Sequence, residues 1–193
     1  MKNLLNPGYY TEKDLASVGF KKLGRNVRIA RDAIVIGFEN ISIGSNVQID
    51  SNVTLACSSG YLILEDFIHI GGCSHLSCSG GIRISNFATI SQGVRIYSAS
   101  DDYSGEFMTN SLVPSEFTNI VRSEVIIKPH VIIGSGTVVL PGVVLEQGTA
   151  VGSLSLVKES TEEFSIYAGS PARKISSRSR EILEKSKKIQ SVN

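Results

Sequence analysis

Apolar residues recur every six positions through most of this chain, and that period constrains its fold more than any other feature. The series runs Ile43, Ile49, Leu55; Leu64, Ile70, Leu76; Ile84, Ile90, Ile96; then, after a gap, Ile127, Ile133, Val139, Leu145, Val151 and Val157. The residue after each anchor is usually small: Gly44, Ala56, Gly71, Ser77, Ser85, Ser91, Gly134 or Gly152. A helix would repeat near 3.6 residues and a hairpin meander would alternate. Three sixes instead make one triangular coil of a parallel β-helix, with the apolar residue inside and the small one in the bend. The predicted class is therefore all-β.

The coils start near Leu23, Ile43, Leu64, Ile84, Ile127 and Leu145. Residues 1–22 read as an N-terminal cap. Within it Thr11-Glu-Lys-Asp14 resembles a capping box, and Gly19 suits the end of a short helix. Leu15, Val18 and Phe20 give that helix an apolar face to lay over the first coil, whose strand edges would otherwise be open. Residues 23–160 are the β-helix domain. Residues 161–193 form a C-terminal tail, with a helix from Ser177 to about Ile189 supported by the pairs Glu181–Lys185 and Glu184–Lys188. Residues 101–124 break the period, and a long excursion from a rigid scaffold points to function.

Composition narrows the class. Hydrophobic residues make up 41% and charged ones 19% of 193 residues, which suits a packed core rather than disorder. The net charge of +1 argues against nucleic acid or an acidic membrane as partner. No apolar run is long enough to span a bilayer and no secretory pattern opens the chain, so a cytoplasmic protein is expected. Cys57, Cys73 and Cys78 are odd in number and form no CxxC pair, which reads as buried free thiols. His69 and His75 lie six apart and His130 is far downstream, a poor match for a three-histidine zinc centre, so no metal is expected.

Three segments together resemble the hexapeptide-repeat acyltransferases: the repeat itself, Val139-Leu-Pro-Gly-Val143, and Tyr167-Ala-Gly-Ser-Pro-Ala-Arg-Lys174. In the last of these Ser170 replaces the family's usual asparagine. The resemblance implies a left-handed parallel β-helix, although crossover rules alone would favour the right hand. It also implies a homotrimer with active sites between neighbouring subunits, and acyl-coenzyme A as co-substrate. A narrower likeness lies in Ile96-Tyr-Ser-Ala-Ser-Asp-Asp-Tyr-Ser-Gly105, the TEKDLASVGF start and the GSLSLVKES stretch. These are similar to the branch that acylates nucleotide-linked amino sugars, such as the N-acyltransferase of the anthrose pathway. The implied acceptor is a dTDP-linked amino-dideoxy sugar, and the implied context is lipopolysaccharide biosynthesis.

Sugar O-acetyltransferases of the family place a catalytic histidine where Asp101 stands here. A hydroxyl needs a base as its proton leaves. A sugar amine is nucleophilic once deprotonated, and a carboxylate can hold and orient the incoming ammonium. Asp101 therefore favours N-acylation. His75 is the other candidate base, reaching Asp101 across a subunit interface, and Ser91 offers a donor for the oxyanion. Asp102 is an aid to the acceptor or a loop cap. Tyr103, Glu106, Phe107 and Asn110 are candidate acceptor contacts, the aromatics by stacking on a base. Gly134, Ser135, Gly152 and Ser153 are placed to line the thioester arm. Arg173 and Lys174 match the family's basic positions for the adenosine phosphates, with Lys158 assisting. Two other readings stay open: O-acetylation of a surface-polysaccharide sugar with His75 as base, and a non-catalytic β-helix assembly module.

Overall fold

The computed structural model describes residues 7–190. Three parallel sheets form the sides of a prism. The first has six strands, beginning with Lys22–Leu23, Ile41–Ile43 and Leu62–Leu64; the second has eight and the third six. The coils wind left-handed. Each anchor sits above its counterpart: Ile43 on Leu64, Leu64 on Ile84, Ile84 on Ile127 and Ile127 on Leu145. All five are buried, as are Ile49, Leu55, Ile70, Leu76, Ile90 and Ile96. The six-residue period is thus three ladders of aliphatic side chains, one per side, meeting along the prism axis.

The small residues are explained at the bends. A Cβ on Gly134 would lie 2.5 Å from the Ser153 nitrogen in the next coil. The bend between the first and second sides carries a ladder of its own. Asn26, Asn46, Phe67, Phe87 and His130 all adopt positive φ, between 53° and 64°. Such a conformation costs about 1–2 kcal/mol per non-glycine residue. From Asn46 onward each amide donates to the coil before it, as Phe67 N–H does to Ser45 O at 3.0 Å. Side-chain stacking adds to this, with Phe67 on Phe87 at 4.8 Å and Phe87 on His130 at 5.2 Å between ring centroids.

Both ends are closed. The N-terminal helix spans Glu12–Ala16, with Thr11 and Asp14 forming the capping box. Leu15 is buried beneath it, while Val18 lies past the helix end and is 38% exposed. At the other end, the tail contains more than the predicted helix. Ser165–Gly169 pairs in parallel with Ala150–Val151, then turns back against Ala172–Ser177 as an antiparallel hairpin. Ser177 is therefore a strand residue and the helix runs Ile182–Gln190. Backbone pairing to the exposed edge of the second sheet outweighs local helix preference there. Arg178 fixes the crossing, its guanidinium donating to the carbonyls of His130, Gly148 and Thr149 at 2.9, 2.9 and 3.3 Å.

The cysteines differ from expectation. Cys57 and Cys78 are buried, but they are stacked in adjacent coils and joined as a disulfide. Cys73 stays free and is exposed at a bend. Register explains this: a 21-residue separation, one coil with its corner expansion, brings the Cα atoms of Cys57 and Cys78 to 4.9 Å.

Candidate active site

The excursion leaves the prism at the bend between the third and first sides. Its two ends form a short antiparallel ribbon, Ala99 opposite Arg122 and Ser100 opposite Val121. Ser98, buried beneath, ties the ribbon down. Its Oγ donates to Ser77 O at 2.8 Å and accepts from Gly80 N–H, and its carbonyl accepts from Ser123 N–H. The loop thus begins and ends on rigid backbone. Between ribbon and third side lies an open cavity of about 660 Å³, lined by Tyr97, Asp101, Tyr103, Arg122 and Leu140 among others.

Asp101 lines this cavity and its side chain makes no hydrogen bond among the described residues, so both carboxylate oxygens can take a ligand. Asp102 is different. It accepts from the Ser104 amide at 2.8 Å and hydroxyl at 2.5 Å, and from Asn119 Nδ2 at 3.4 Å. The Ser104 bonds hold its carboxyl below the usual range. That is the geometry of a turn cap. Tyr103 reaches the cavity and is 92% exposed. Glu106, Phe107 and Asn110 lie further along the loop, outside the cavity lining, and Asn110 Oδ1 caps the Leu112 amide.

His75 opens its strand on the third side, paired with Arg95, at the edge away from Asp101. Its ring packs 5.9 Å from that of Tyr97, which lines the cavity. Burial and then the charge of Arg95 push the imidazole pKa down. The ring is therefore neutral at pH 7 and able to accept a proton. His69 lies on the second side with Nε2 against Asp50 at 2.7 Å, and His130 sits in the aromatic ladder. Among the described residues no three His, Cys, Asp or Glu side chains converge as a metal set. No helix among them is long and apolar enough to cross a membrane.

Ser91 occupies the bend between the second and third sides. Register places Ile90 beside Ile133 and Ile133 beside Val151, so Ser91, Gly134 and Gly152 form one strip down that bend. The amides of Ser91, Gly134 and Gly152 are spent on the coil ladder, donating to Ile133 O, Val151 O and Tyr167 O. What remains for a ligand is the amides of Ser135 and Ser153, the hydroxyls of Ser91, Ser135 and Ser153, and the open bend itself. Ser91 and Asp101 stand beyond opposite ends of the third-side strand Arg95–Tyr97, and Ser91 does not line the Asp101 cavity. One protomer does not bring them together.

Lys158, Arg173 and Lys174, the basic residues expected at the adenosine phosphates, are each paired with a carboxylate. Lys158 and Arg173 both lie 3.6 Å from Glu159, and Lys174 lies 2.7 Å from Glu162. The Glu162 hydrogen bond holds the Lys174 pKa up. These exposed pairs are worth little in themselves and can be exchanged for phosphate. Sequence reasoning did not single out Tyr97 or Arg122. Arg122 carries no motif signal, being one arginine in an aperiodic segment, and only the ribbon register brings it to Asp101.

No protein-family model matches the chain. A dTDP-4-amino-4,6-dideoxy-D-glucose acyltransferase from Escherichia coli is 46% identical over 176 residues, covering 91% of this chain and 92% of that one. A putative lipopolysaccharide biosynthesis O-acetyl transferase from E. coli K12 is 27% identical over 161 residues, covering 77% and 78%. The crystal structure of AntD, an N-acyltransferase from Bacillus cereus, in complex with dTDP and 3-hydroxybutyryl-CoA has a TM-score of 0.92 at 37% identity. It covers 97% of this chain and 98% of that one. Other structures of that enzyme carry substitutions at a serine and at an aspartate ten positions after it. Ser91 and Asp101 have the same spacing.

Proposed function

The chain belongs to the nucleotide-sugar N-acyltransferase branch of the hexapeptide-repeat acyltransferases, and on that premise we propose how its residues carry the reaction. The enzyme transfers an acyl group from acyl-coenzyme A to the amino group of a dTDP-linked amino-dideoxy sugar. Asp101 receives the amine. The observation that carries this is its uncommitted carboxylate on a cavity wide enough for a sugar nucleotide. The free amine attacks the thioester carbonyl, a C–N bond forms, and the tetrahedral oxyanion collapses as the C–S bond breaks. The ammonium proton passes to water or to the departing thiolate. The Ser91 hydroxyl is a donor for the oxyanion. No acyl-enzyme forms, since among the described residues no nucleophile paired with a base lines the cavity.

The thioester arm lies along Gly134, Ser135, Gly152 and Ser153, and the adenosine phosphates exchange with Glu159 and Glu162 on Lys158, Arg173 and Lys174. Because Ser91 and Asp101 stand a full side apart, the reacting centre joins the bend of one protomer to the excursion of a neighbour in a homotrimer. Leu154, 78% exposed in that bend, and Tyr103 and Leu112 of the loop are apolar groups that such a neighbour would cover. Nucleotide sugars and acyl-coenzyme A are both cytoplasmic metabolites, which places the enzyme in the cytoplasm. Its product is a modified sugar donor for surface carbohydrate such as lipopolysaccharide.

The test is mass spectrometry of products from dTDP-4-amino-4,6-dideoxyglucose and from its 4-hydroxy counterpart, each with acetyl-CoA and 3-hydroxybutyryl-CoA. Acylation of the amine alone supports the assignment. Acylation of the hydroxyl sugar with loss in His75→Gln would replace it with O-acetylation driven by the neutral His75.

A further inference from the structure

Arg122 is the one cation lining the Asp101 cavity among the described residues. It is exposed, and its guanidinium makes no hydrogen bond or ion pair among the described residues. Its backbone is nevertheless fixed. It pairs with Ala99 across the ribbon, and the next amide, of Ser123, donates to Ser98 O at 2.9 Å. A long cationic side chain is thus mounted on rigid backbone with its head left free.

The ribbon register sets where that head is relative to Asp101. Ala99 faces Arg122 and Ser100 faces Val121, so Asp101 comes opposite Ile120. Side chains alternate along a strand, which puts Ala99, Asp101, Ile120 and Arg122 on one face of the ribbon. All four line the cavity. Asp101 and Arg122 are then a diagonal cross-strand pair, with Cβ atoms about 7 Å apart. They form no ion pair with one another.

An anion and a cation held apart at that spacing, each with an open coordination shell, match a ligand with the opposite arrangement: an ammonium at one edge of a pyranose ring and a phosphate at the other. We propose that Arg122 binds the diphosphate of the nucleotide-linked acceptor while Asp101 holds its amine, so the two residues measure the sugar ring between them. This rests on the acyl-transfer reading above and adds the residue that recognises the nucleotide half. The guanidinium fork suits bidentate phosphate contact better than a lysine would.

The experiment is calorimetric binding of dTDP and, separately, of coenzyme A to the wild type, Arg122→Gln, Arg122→Lys and Arg25→Gln. The last removes the same charge from an exposed position on the first coil. Loss of a charge-assisted bidentate contact on a partly solvated surface should weaken dTDP about 20-fold in Arg122→Gln. Arg122→Lys should regain part of that, Arg25→Gln should stay within two-fold, and coenzyme A affinity should hold in all four. In steady state, KM for the sugar nucleotide should rise with kcat and KM for acyl-coenzyme A unchanged. Unaltered dTDP binding in Arg122→Gln overturns the assignment alone. Weakened coenzyme A with intact dTDP overturns it by moving Arg122 to the cofactor. A wild type that binds coenzyme A but no dTDP overturns this proposal and the nucleotide-sugar reading together.

Discussion

Replacing Asp101 by asparagine keeps the size of the side chain and removes its charge. The carboxylate touches no structural partner among the described residues, and the Ser100 hydroxyl donates to the backbone carbonyl instead. Stability should therefore change by less than about 0.5 kcal/mol. The charge matters to the acceptor. A carboxylate and an ammonium 4 Å apart attract by about 4 kcal/mol at an effective dielectric of 20 and by half that at 40. The cavity is open and Asp101 is exposed, so the lower figure applies, and about 2 kcal/mol corresponds to roughly a 30-fold fall in kcat/KM for the amino sugar. The assay is continuous detection of released coenzyme A thiol, with acceptor varied at saturating acyl-coenzyme A, alongside calorimetry of coenzyme A alone. Acceptor efficiency within two-fold of wild type would refute the role given to Asp101. So would an equal loss in coenzyme A affinity, which would mean the substitution disturbed the fold or the wrong site.

Leu76 is fully buried and stacked between Leu55 and Ile96, so Leu76→Ala should cost about 3–4 kcal/mol, read from denaturant unfolding. Arg178→Gln removes the donor shared by three carbonyls. Water relieves part of the loss at this half-buried site, so about 1–2 kcal/mol is expected, with faster amide exchange confined to the C-terminal hairpin and helix. His75 and His130 have pKa values lowered by burial, and then by Arg95 and Arg178 respectively. A lowered folded value means the unfolded chain binds more protons. The stability they contribute is thus whole above about pH 6.5 and is lost as pH falls toward their folded values. Melting temperature should decline over that window, and the decline should flatten in the double variant His75→Gln, His130→Gln.

The prism was legible because its rule is local and repeated: one apolar residue in six, then a small one. Each buried anchor could be read off and each bend located to within a residue or two. The capping box at Thr11 was legible for the same reason. The C-terminal hairpin was not, because its strands form only where the solenoid offers an unpaired edge, and the charge spacing of residues 177–189 puts the helix start at Ser177, five residues before Ile182. The Cys57–Cys78 pairing was not read from the sequence, because an odd number of cysteines without a CxxC pair points to free thiols, although both residues stand two places after the stacked anchors Leu55 and Leu76. At the site, Asp101 announced itself through departure from a family pattern. Arg122 did not, since its position depends on strand register inside a segment with no period.

Ile84 pairs with Ile127 as closely as Ile43 pairs with Leu64, although the coil between the first pair carries the excursion and the coil between the second does not. The solenoid does not sense how much chain has been spliced between those rungs. Closing a longer loop costs only about 0.6 kcal/mol per doubling, and the ribbon at Ala99 and Arg122 already clamps both ends. The excursion therefore behaves as an exchangeable cartridge. Its contents can be rewritten to suit a different acceptor while the groove for the thioester, built from other bends, stays as it is.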